Sequence, residues 1–554
     1  MKPVCFLAAA VTFLGVTVGS PRSRDDVPPP GAPFRFRDVT AEAGLEKYVR
    51  GALNHAVAWG DFDNDGRLDL FLGNFADRPG QPDDGKNRLF RQVEGGKFVP
   101  FPAPAVEIRG RCSGAVFVDL TNSGHLDLYV SSNQLENPSA REPQHTPQTQ
   151  RCKLYRKGRG KYVDISEGCG ACPGTLFRCR DIGVFDFDND GLLDLLVLQD
   201  RTINRDGKVY GSRLYRNLGN HKFEDVTTRA GLPEDLWGLG IAVTDLNGDR
   251  RPDFFIAGPN RLYLSQPDGG YKEAEALRTV FDPGPLKKGG ITGAVFGDLN
   301  GDGNLDLVTG THDYNGPSPV QVFLNEGLKD GVPRFRNVTK EIGIPVLPQK
   351  APHPEVQDFD NDGIPDLYWS AYLAEGTKRW PYICRGLGSK GGLPRFHVPA
   401  VPAFDLEQMR LNAPPPKGVG MVYYVNGPAL GYDGDGKLDV FGGIWPQENS
   451  RLFHNETPGG NWLQVRVEGK KMNRMGVGAQ VRVYAAGKAG EKSALLGCQT
   501  ITLNGGYSSG RPALVHFGLG KAETCDVEVT LPSREKPLLE ARTRVNRLLV
   551  VREP

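Results

Sequence analysis

The sequence predicts an all-β chain: a ring of seven four-stranded blades, closed by an N-terminal strand that completes the last blade, then a small C-terminal β domain. Three observations lead there. An aspartate-rich nonapeptide recurs seven times between short apolar runs; each recurrence is followed by further strand-like segments; and the seventh lacks a fourth strand, a copy of which stands alone near the N-terminus. Repeats of this period with strand patterning on both sides mean radial or solenoidal architecture, and four strands per repeat mean a propeller blade.

The clearest nonapeptide is Asp61-Phe62-Asp63-Asn64-Asp65-Gly66-Arg67-Leu68-Asp69, between Ala56-Val57-Ala58-Trp59 and Leu70-Phe71-Leu72. Other copies begin at Asp119, Asp186, Asp245, Asp298, Asp358 and, degraded, at Gly431, spaced by 58, 67, 59, 53, 60 and 73 residues. An apolar run after each loop supplies the second strand. The third carries a basic-Leu-aromatic flavour, as in Arg88-Leu89-Phe90, Arg213-Leu214-Tyr215 and Arg451-Leu452-Phe453. The fourth centres on an aromatic residue: Phe98, Tyr162, Phe223, Tyr271, Phe335 and Phe396. Phe34-Arg35-Phe36-Arg37-Asp38-Val39-Thr40 matches the fourth-strand segments Phe223-Glu224-Asp225-Val226-Thr227 and Phe335-Arg336-Asn337-Val338-Thr339, so it is expected to close the seventh blade and leave the ring without a free edge. The expected division is a signal peptide over 1–20, the propeller over 33–458 and the tail over 461–554.

Composition agrees. The chain has 554 residues with 71 Gly and 43 Pro, which suits many short strands joined by tight turns. Lys2, an apolar stretch from Val4 to Val18 and small Gly19 and Ser20 read as a secretory signal, placing the mature chain outside the cell, in a periplasm or at a cell surface. No later stretch approaches the roughly 18 apolar residues of a membrane span. Beyond the signal lie Cys112, Cys152, Cys169, Cys172, Cys179, Cys384, Cys498 and Cys525. An even count in an exported chain suggests disulfides. Cys498 and Cys525 are the expected pair in the tail, and Cys112 has Cys152 or Cys179 as partners. Cys169-Gly170-Ala171-Cys172 also admits a redox reading.

The nonapeptide has the chemistry of a calcium loop. A hard cation of that size takes six to eight oxygens, and side chains at positions one, three, five and nine, with a carbonyl at seven, can supply them. Glycine at six permits the positive φ of the wrap. Three loops hold four aspartates: Asp61, Asp63, Asp65 and Asp69; Asp186, Asp188, Asp190 and Asp194; Asp358, Asp360, Asp362 and Asp366. The fifth, with Asp298, Asn300, Asp302 and Asp306, ranks beside them. These four are expected to bind Ca2+. The fourth (Asp245, Asn247, Asp249, Asp253) has Arg250 in place of glycine, and the seventh keeps Asp433, Asp435 and Asp439 but not its first ligand; both are left open. The second, with Asp119 and Asp127 alone, is expected to be empty.

The repeats resemble the FG-GAP/VCBS repeats of seven-bladed propellers, of which integrin α heads are relatives. That resemblance implies that the loop joins the first two strands of each blade and that calcium there is structural. The tail looks like the ASPIC/UnbV domain, found after such propellers in secreted bacterial proteins and in the cartilage acidic protein family. The segments that carry this are Asn461-Trp462-Leu463-Gln464-Val465, Asn473-Arg474-Met475-Gly476-Val477-Gly478-Ala479, Gly505-Gly506-Tyr507-Ser508-Ser509 and Val515-His516-Phe517-Gly518-Leu519-Gly520. Leu531-Pro532-Ser533-Arg534 stands where that family has a Trp-Pro-Ser-Gly-like stretch.

Charge is uneven. Residues 461–554 hold 15 Lys or Arg against 8 Asp or Glu, a net of +7, and the mature segment before them is correspondingly acidic. The basic tail suits docking on the acidic ring, or an acidic glycan. No nucleophile motif, phosphate loop, spaced histidine cluster or RNA-binding aromatic signature stands out, which argues against nucleic acid as a partner. The face opposite the aspartate loops is expected to carry ligand contacts from His55, Arg111, Arg178, Trp237, His312, Asp313 and Trp445, overhung by the inserts Glu136–Arg151 and Pro399–Gly418. The expected function is a secreted calcium-binding scaffold for extracellular carbohydrate or protein ligands; the alternative is a polysaccharide lyase or hydrolase on the same ring.

Overall fold

A computed structural model of the chain describes residues 34–75, 85–133, 151–174, 178–200, 210–283, 290–311, 320–345, 352–375, 378–399, 419–423, 429–443 and 449–554. The expected signal segment, both inserts apart from Arg151 and Pro399, His312, Asp313 and Trp445 lie outside them. The fold is all-β: among the described residues one four-residue helix, Glu46–Val49, and two short 3-10 turns interrupt the strands. Among the described residues no helix is long and apolar enough to cross a membrane.

Seven antiparallel sheets form the blades. Their innermost strands are Asn54–Gly60, Cys112–Val118, Cys179–Phe185, Gly240–Thr244, Ile291–Gly297, Pro354–Gln357 and Ala429–Leu430, each leading outward through its next three strands. The seventh blade borrows its outer strand from the N-terminus: Phe36 pairs with Asn455, Arg37 with His454 and Asp38 with Phe453. Its chemistry is that of the other fourth strands. Asp38, Asp225 and Asn337 each accept the backbone N–H and hydroxyl of the threonine two residues on. Those threonines, Thr40, Thr227 and Thr339, in turn accept the N–H of Leu452, Leu214 and Val322 in the third strand. The Asp-Val-Thr signature is thus a hydrogen-bonded corner, which is why it is legible twice in the blades and once before them. Arg37 pairs with Glu456 at 2.6 Å and Arg451 with Asp38 across the same seam.

Apolar side chains fill the spaces between blades. Trp59 is fully buried, edge-on to Phe98 at 5.8 Å and to Phe441 of the last blade at 6.3 Å. Its burial is worth roughly 3–5 kcal/mol by analogy with truncations of core aromatics. Inner strands approach too closely for side chains at some points: a Cβ on Gly293 would stand 2.0 Å from the carbonyl oxygen of Pro352.

The tail forms two sheets. One sets Val515–Gly520 and Arg547–Arg552 on either side of Asn461–Glu468; the other orders Leu495–Thr500, Gln480–Ala485, Thr524–Thr530 and Leu538–Arg544. Alternate residues Leu463, Val465, Val467, Val481, Val483, Val527 and Val529 make its core. Between them a hairpin, Asn504–Gly505 and Ser509–Gly510, leaves the tail and joins the first blade's sheet.

The cysteines depart from expectation. All eight are buried free thiols. Cys498 and Cys525 lie on strands flanking Gln480–Ala485, opposite Arg482 and Ala485, so that strand separates them and they are not partners. Cys152 and Cys179 adjoin each other rather than Cys112, and Cys169 and Cys172 bring their sulfurs to 3.7 Å inside the same core.

Removing residues 34–40 is expected to lower the melting temperature and expose the edge of the seventh blade. Adding a synthetic peptide of that segment in trans should restore the wild-type transition in scanning calorimetry, whereas a closing strand of no consequence would leave both transitions equal.

Candidate metal sites and the domain seam

Each aspartate loop connects an innermost strand to the next one, so the loops share one face of the ring. Their ninth residue is the anchor. Asp69, Asp127, Asp194, Asp253, Asp306, Asp366 and Asp439 are all buried, and in every blade one oxygen accepts an N–H from the third strand at 2.7–2.9 Å. In six blades the other oxygen accepts the N–H of the loop's second residue at 2.8–3.3 Å; in the second blade it meets His221 Nε2 instead. One carboxylate therefore pins the loop to two strands.

Burial, with neighbouring carboxylates adding, pushes Asp69, Asp253 and Asp439 up to about 7 and Asp194, Asp306 and Asp366 well above the carboxylate range. Packing like charges in low dielectric is what raises them. A cation in the loop is the group that would let all of them ionise.

Positions four and six are both left-handed. Asn64, Asn122, Asn189 and Asn361 occupy the fourth with φ of 54–60°, and the sixth is glycine except at Arg250, which takes φ 66°. That confirms the strain expected of Arg250. The fourth-position asparagines, which the sequence reading passed over, stitch the ring: their amides donate to the sixth-position carbonyls of the following loops, Gly124, Gly191, Arg250 and Gly436.

Four clusters bring three possible metal ligands within 4.8 Å of one another: Asp61, Asp63 and Asp69; Asp186, Asp188 and Asp194; Asp358, Asp360 and Asp366; and Asp433, Asp435 and His454. Several acidic clusters on this face could thus hold a metal ion. In the three four-aspartate loops, Asp63, Asp188 and Asp360 each carry a buried Oδ1 with no hydrogen-bond partner. An orphaned carboxylate oxygen is costly and calls for a donor or a cation.

Three of the clusters face a basic side chain, and the fourth includes one as a member, at one register immediately after the third-strand residue paired with the second strand. Arg91 stands 3.8 Å from Asp63, Arg216 2.6 Å from Asp188, Arg385 against Asp360, and His454 3.0 Å from Asp439. In the fourth and fifth blades that register holds Leu264 and Leu324. His454 was legible only as part of Arg451-Leu452-Phe453-His454, where the repeat's basic residue is out of sight of the loop.

The remaining loops satisfy themselves. In the fourth, Asn247 donates to Asp249, and Ser265 to Asp249 and Asp253. In the fifth, Asn300 accepts the N–H of Asp302 and donates to Gly392. The sequence ranks that loop with the best, but its amide at position three leaves it without three gathered carboxylates. Asp119 of the second loop accepts the N–H groups of Ser123 and Gly124.

The tail lies on this same face. Arg474 N–H donates to Asn122, Arg250 Nη1 to the carbonyl of Arg534, and Thr244 bonds Thr500 at 2.7 Å. Its hairpin fills the central channel. Ser509 and Gly510 pair in parallel with Val57 and Ala58; Ala294 N–H donates to Gly506, and Asn504 bonds the backbone of Ile182 and Val184. The tip, with Tyr507 fully buried, reaches His353, whose Nδ1 accepts the Tyr507 N–H at 3.2 Å while Nε2 donates to Glu355 at 2.8 Å. Arg511 pairs with the other oxygen of Glu355 at 2.7 Å. Ser509, His353 and Glu355 superficially line up as a nucleophile relay, yet the Ser509 hydroxyl sits 2.6 Å from the carbonyl of Gly505, and all three are buried inside the seam. They seat the plug.

His55 belongs to that seat as well: it is buried, 4.8 Å from the Phe75 ring and 5.8 Å from Tyr507, rather than displayed to a ligand. Burial, then Arg180, lowers its pKa to about 3. Arg111 and Arg178 stand half-buried at the channel end opposite the loops, Arg111 over the Phe75 ring. Arg180, not singled out in the sequence, pairs with Asp200 at 2.7 Å. Arg178 Nη2 stands 3.9 Å from the same Asp200 oxygen, and burial, with Arg180 and Arg111 acting against the pull of Asp200, lowers the Arg178 pKa. Trp237 is half-buried beside Gly258.

Two family models match the two parts of this chain. The FG-GAP-like repeat model matches residues 61–130, 186–256 and 245–309, and the ASPIC and UnbV model matches 469–554. The chain is 26% identical over 547 residues to human (Homo sapiens) cartilage acidic protein 1, covering 94% of this chain and 74% of that one, and 25% identical over 505 residues to its mouse (Mus musculus) counterpart, covering 87% and 70%. Among solved structures, exotype rhamnogalacturonan lyase YesX matches with a TM-score of 0.39 and 14% identity over 73% of this chain and 72% of that one. The chain carries FG-GAP-like repeats followed by an ASPIC/UnbV domain and is homologous to cartilage acidic protein 1.

Burial alone would raise the pKa of Glu355, but Arg511 and then His353 hold it at about 2. A depressed carboxyl stabilises the folded state above its unfolded pKa, near 4.5, and that contribution fades as pH falls towards 2. Glu355→Gln, which strands Arg511, is expected to cost about 3 kcal/mol at pH 7. The difference in stability between variant and wild type should shrink between pH 4.5 and 2, followed by denaturant melts; a constant difference would mean Glu355 is not charged in the seam.

Proposed function

We propose that this protein is an extracellular propeller whose acidic loops bind Ca2+ and whose opposite face binds an acidic carbohydrate or protein ligand. The observation that carries the metal reading is the buried, partnerless Oδ1 of Asp63, Asp188 and Asp360, each within a cluster of carboxylates. Asp61, Asp63, Asp65 and Asp69, with their counterparts in the third and sixth loops, would hold the ion; hard oxygen donors in that number suit calcium over softer metals. Asp433, Asp435 and His454 suit it less, since a nitrogen replaces an oxygen. Calcium's contribution would be charge neutralisation that locks the ring.

The ligand reading rests on the face opposite the loops. The tail occupies the loop face and plugs the channel, while Arg178 and Arg180 flank Asp200 and Arg111 lies over the Phe75 ring. Guanidinium groups at this end suit bidentate contact with carboxylate or sulfate groups of a ligand. The homology to cartilage acidic protein 1 supports an extracellular setting.

Two measurements check this. A cation binding the native state at a hundredfold excess over its dissociation constant adds about 2.7 kcal/mol per site. Chelation should therefore lower the melting temperature, and calcium rather than magnesium should restore it; identical melts with and without chelator would refute the metal reading. On an array of uronate and sulfated glycans, binding is expected to fall about tenfold or more on replacing Arg178 by alanine, a loss of 1.4 kcal/mol or more. Appearance of unsaturated or new reducing ends in the same samples would favour the lyase or hydrolase alternative.

A further inference from the structure

Of the three loops with four aspartates, the third packs on the tail through Gly191, whose Cβ would stand 2.5 Å from the carbonyl oxygen of Lys471, while the sixth is hydrogen-bonded to it. Asp360 has a side-chain exposure of 0%, against 23% for Asp63 and 21% for Asp188 at the same position. What covers it is the tail. Gly460 N–H donates to the carbonyl of Asp360 at 2.9 Å, Gly520 N–H to that of Asn361 at 2.9 Å, and His516 Nε2 bonds the Asn361 amide oxygen at 2.7 Å. Among the described residues the first and third loops have no hydrogen bond to the tail. Packing at the sixth is tight enough to demand glycine: a Cβ on Gly518 would stand 1.9 Å from Asp358 Oδ2, and one on Gly460 2.2 Å from the carbonyl oxygen of Asn361.

Charge makes this arrangement unequal with and without a cation. Asp358, Asp360 and Asp366 lie within 4.8 Å of one another, Arg385 is the cation paired with them among the described residues, and Asp360 Oδ1 is left without a partner. Docking the tail removes water from carboxylates that remain in excess over positive charge, which is unfavourable unless a further cation joins them. Conversely, the bonds from Gly460, Gly520 and His516 fix the third and fourth residues of the loop, so its oxygens are held ready for an ion.

We propose that the sixth loop is a metal-linked latch: its bound cation and the docked tail each strengthen the other. This rests on the reading of the loops as calcium sites. Coupling is reciprocal by thermodynamic necessity, so one free energy must appear in two experiments. In the first, calcium titrations of the full chain compare wild type with Gly518→Ala and, in case that substitution disturbs the tail's own strand, with Gly460→Ala. One site should weaken by about tenfold, ordinary for allosteric coupling, while the others keep their affinity. In the second, hydrogen exchange in saturating calcium compares Asp360→Asn with Asp63→Asn. Asp360→Asn should speed exchange at Gly460, Gly520 and the 504–510 hairpin; Asp63→Asn should leave them at the wild-type rate. If the glycine variants bind calcium as wild type does, or if both aspartate variants leave the seam equally protected, the latch is overturned while the loops remain calcium sites. If the wild-type chain binds no calcium at millimolar concentration, the metal reading falls and takes the latch with it.

Discussion

One buried carboxylate per blade holds this ring together. In six of the seven blades the ninth-position aspartate accepts N–H groups from its own loop and from the third strand, so the turn, the strand order and the loop face are fixed by the same two oxygens. Such a group is strong only as an anion, and burial among other carboxylates works against its ionisation. The molecule answers with a basic side chain at one register of the third strand and, on our reading, with calcium. Where the register is leucine, as at Leu264 and Leu324, the loops turn instead to amides and hydroxyls.

The tail is part of the same solution. Its hairpin enters the channel from the loop face, adds a parallel strand to the first blade and ends on the buried His353–Glu355 pair. A propeller's channel is otherwise a column of inner-strand edges around a void, and filling it exchanges water for backbone hydrogen bonds and packed Tyr507. The docking also decides which surface is taken: the tail lies on the loop face.

Much of this was written in the sequence, for a physical reason. Strand alternation and the Asp-Val-Thr corner are local, so the borrowed closing strand was readable from residues 34–40 alone. The aspartate spacing is local too. What escaped depends on neighbours distant in the chain. Asn64, Asn122, Asn189 and Asn361 look like ordinary turn residues until the next blade stands beside them. Gly505-Gly506-Tyr507 identified the tail but not its destination, since nothing in a hairpin's sequence names the channel it will fill. Cys498 and Cys525 suggested a pair because they were alone, and a single intervening strand separates them. His55 precedes a loop, as a surface ligand would, yet the plug buries it.

Anomalous diffraction from crystals grown in millimolar calcium chloride tests the central claim most directly. The account requires calcium scattering within reach of the aspartates at 61, 63 and 69, at 186, 188 and 194, and at 358, 360 and 366, with Asp63, Asp188 and Asp360 Oδ1 among the ligands. Ordered water at those positions, with Arg91, Arg216 and Arg385 as the sole counter-charges, would contradict it.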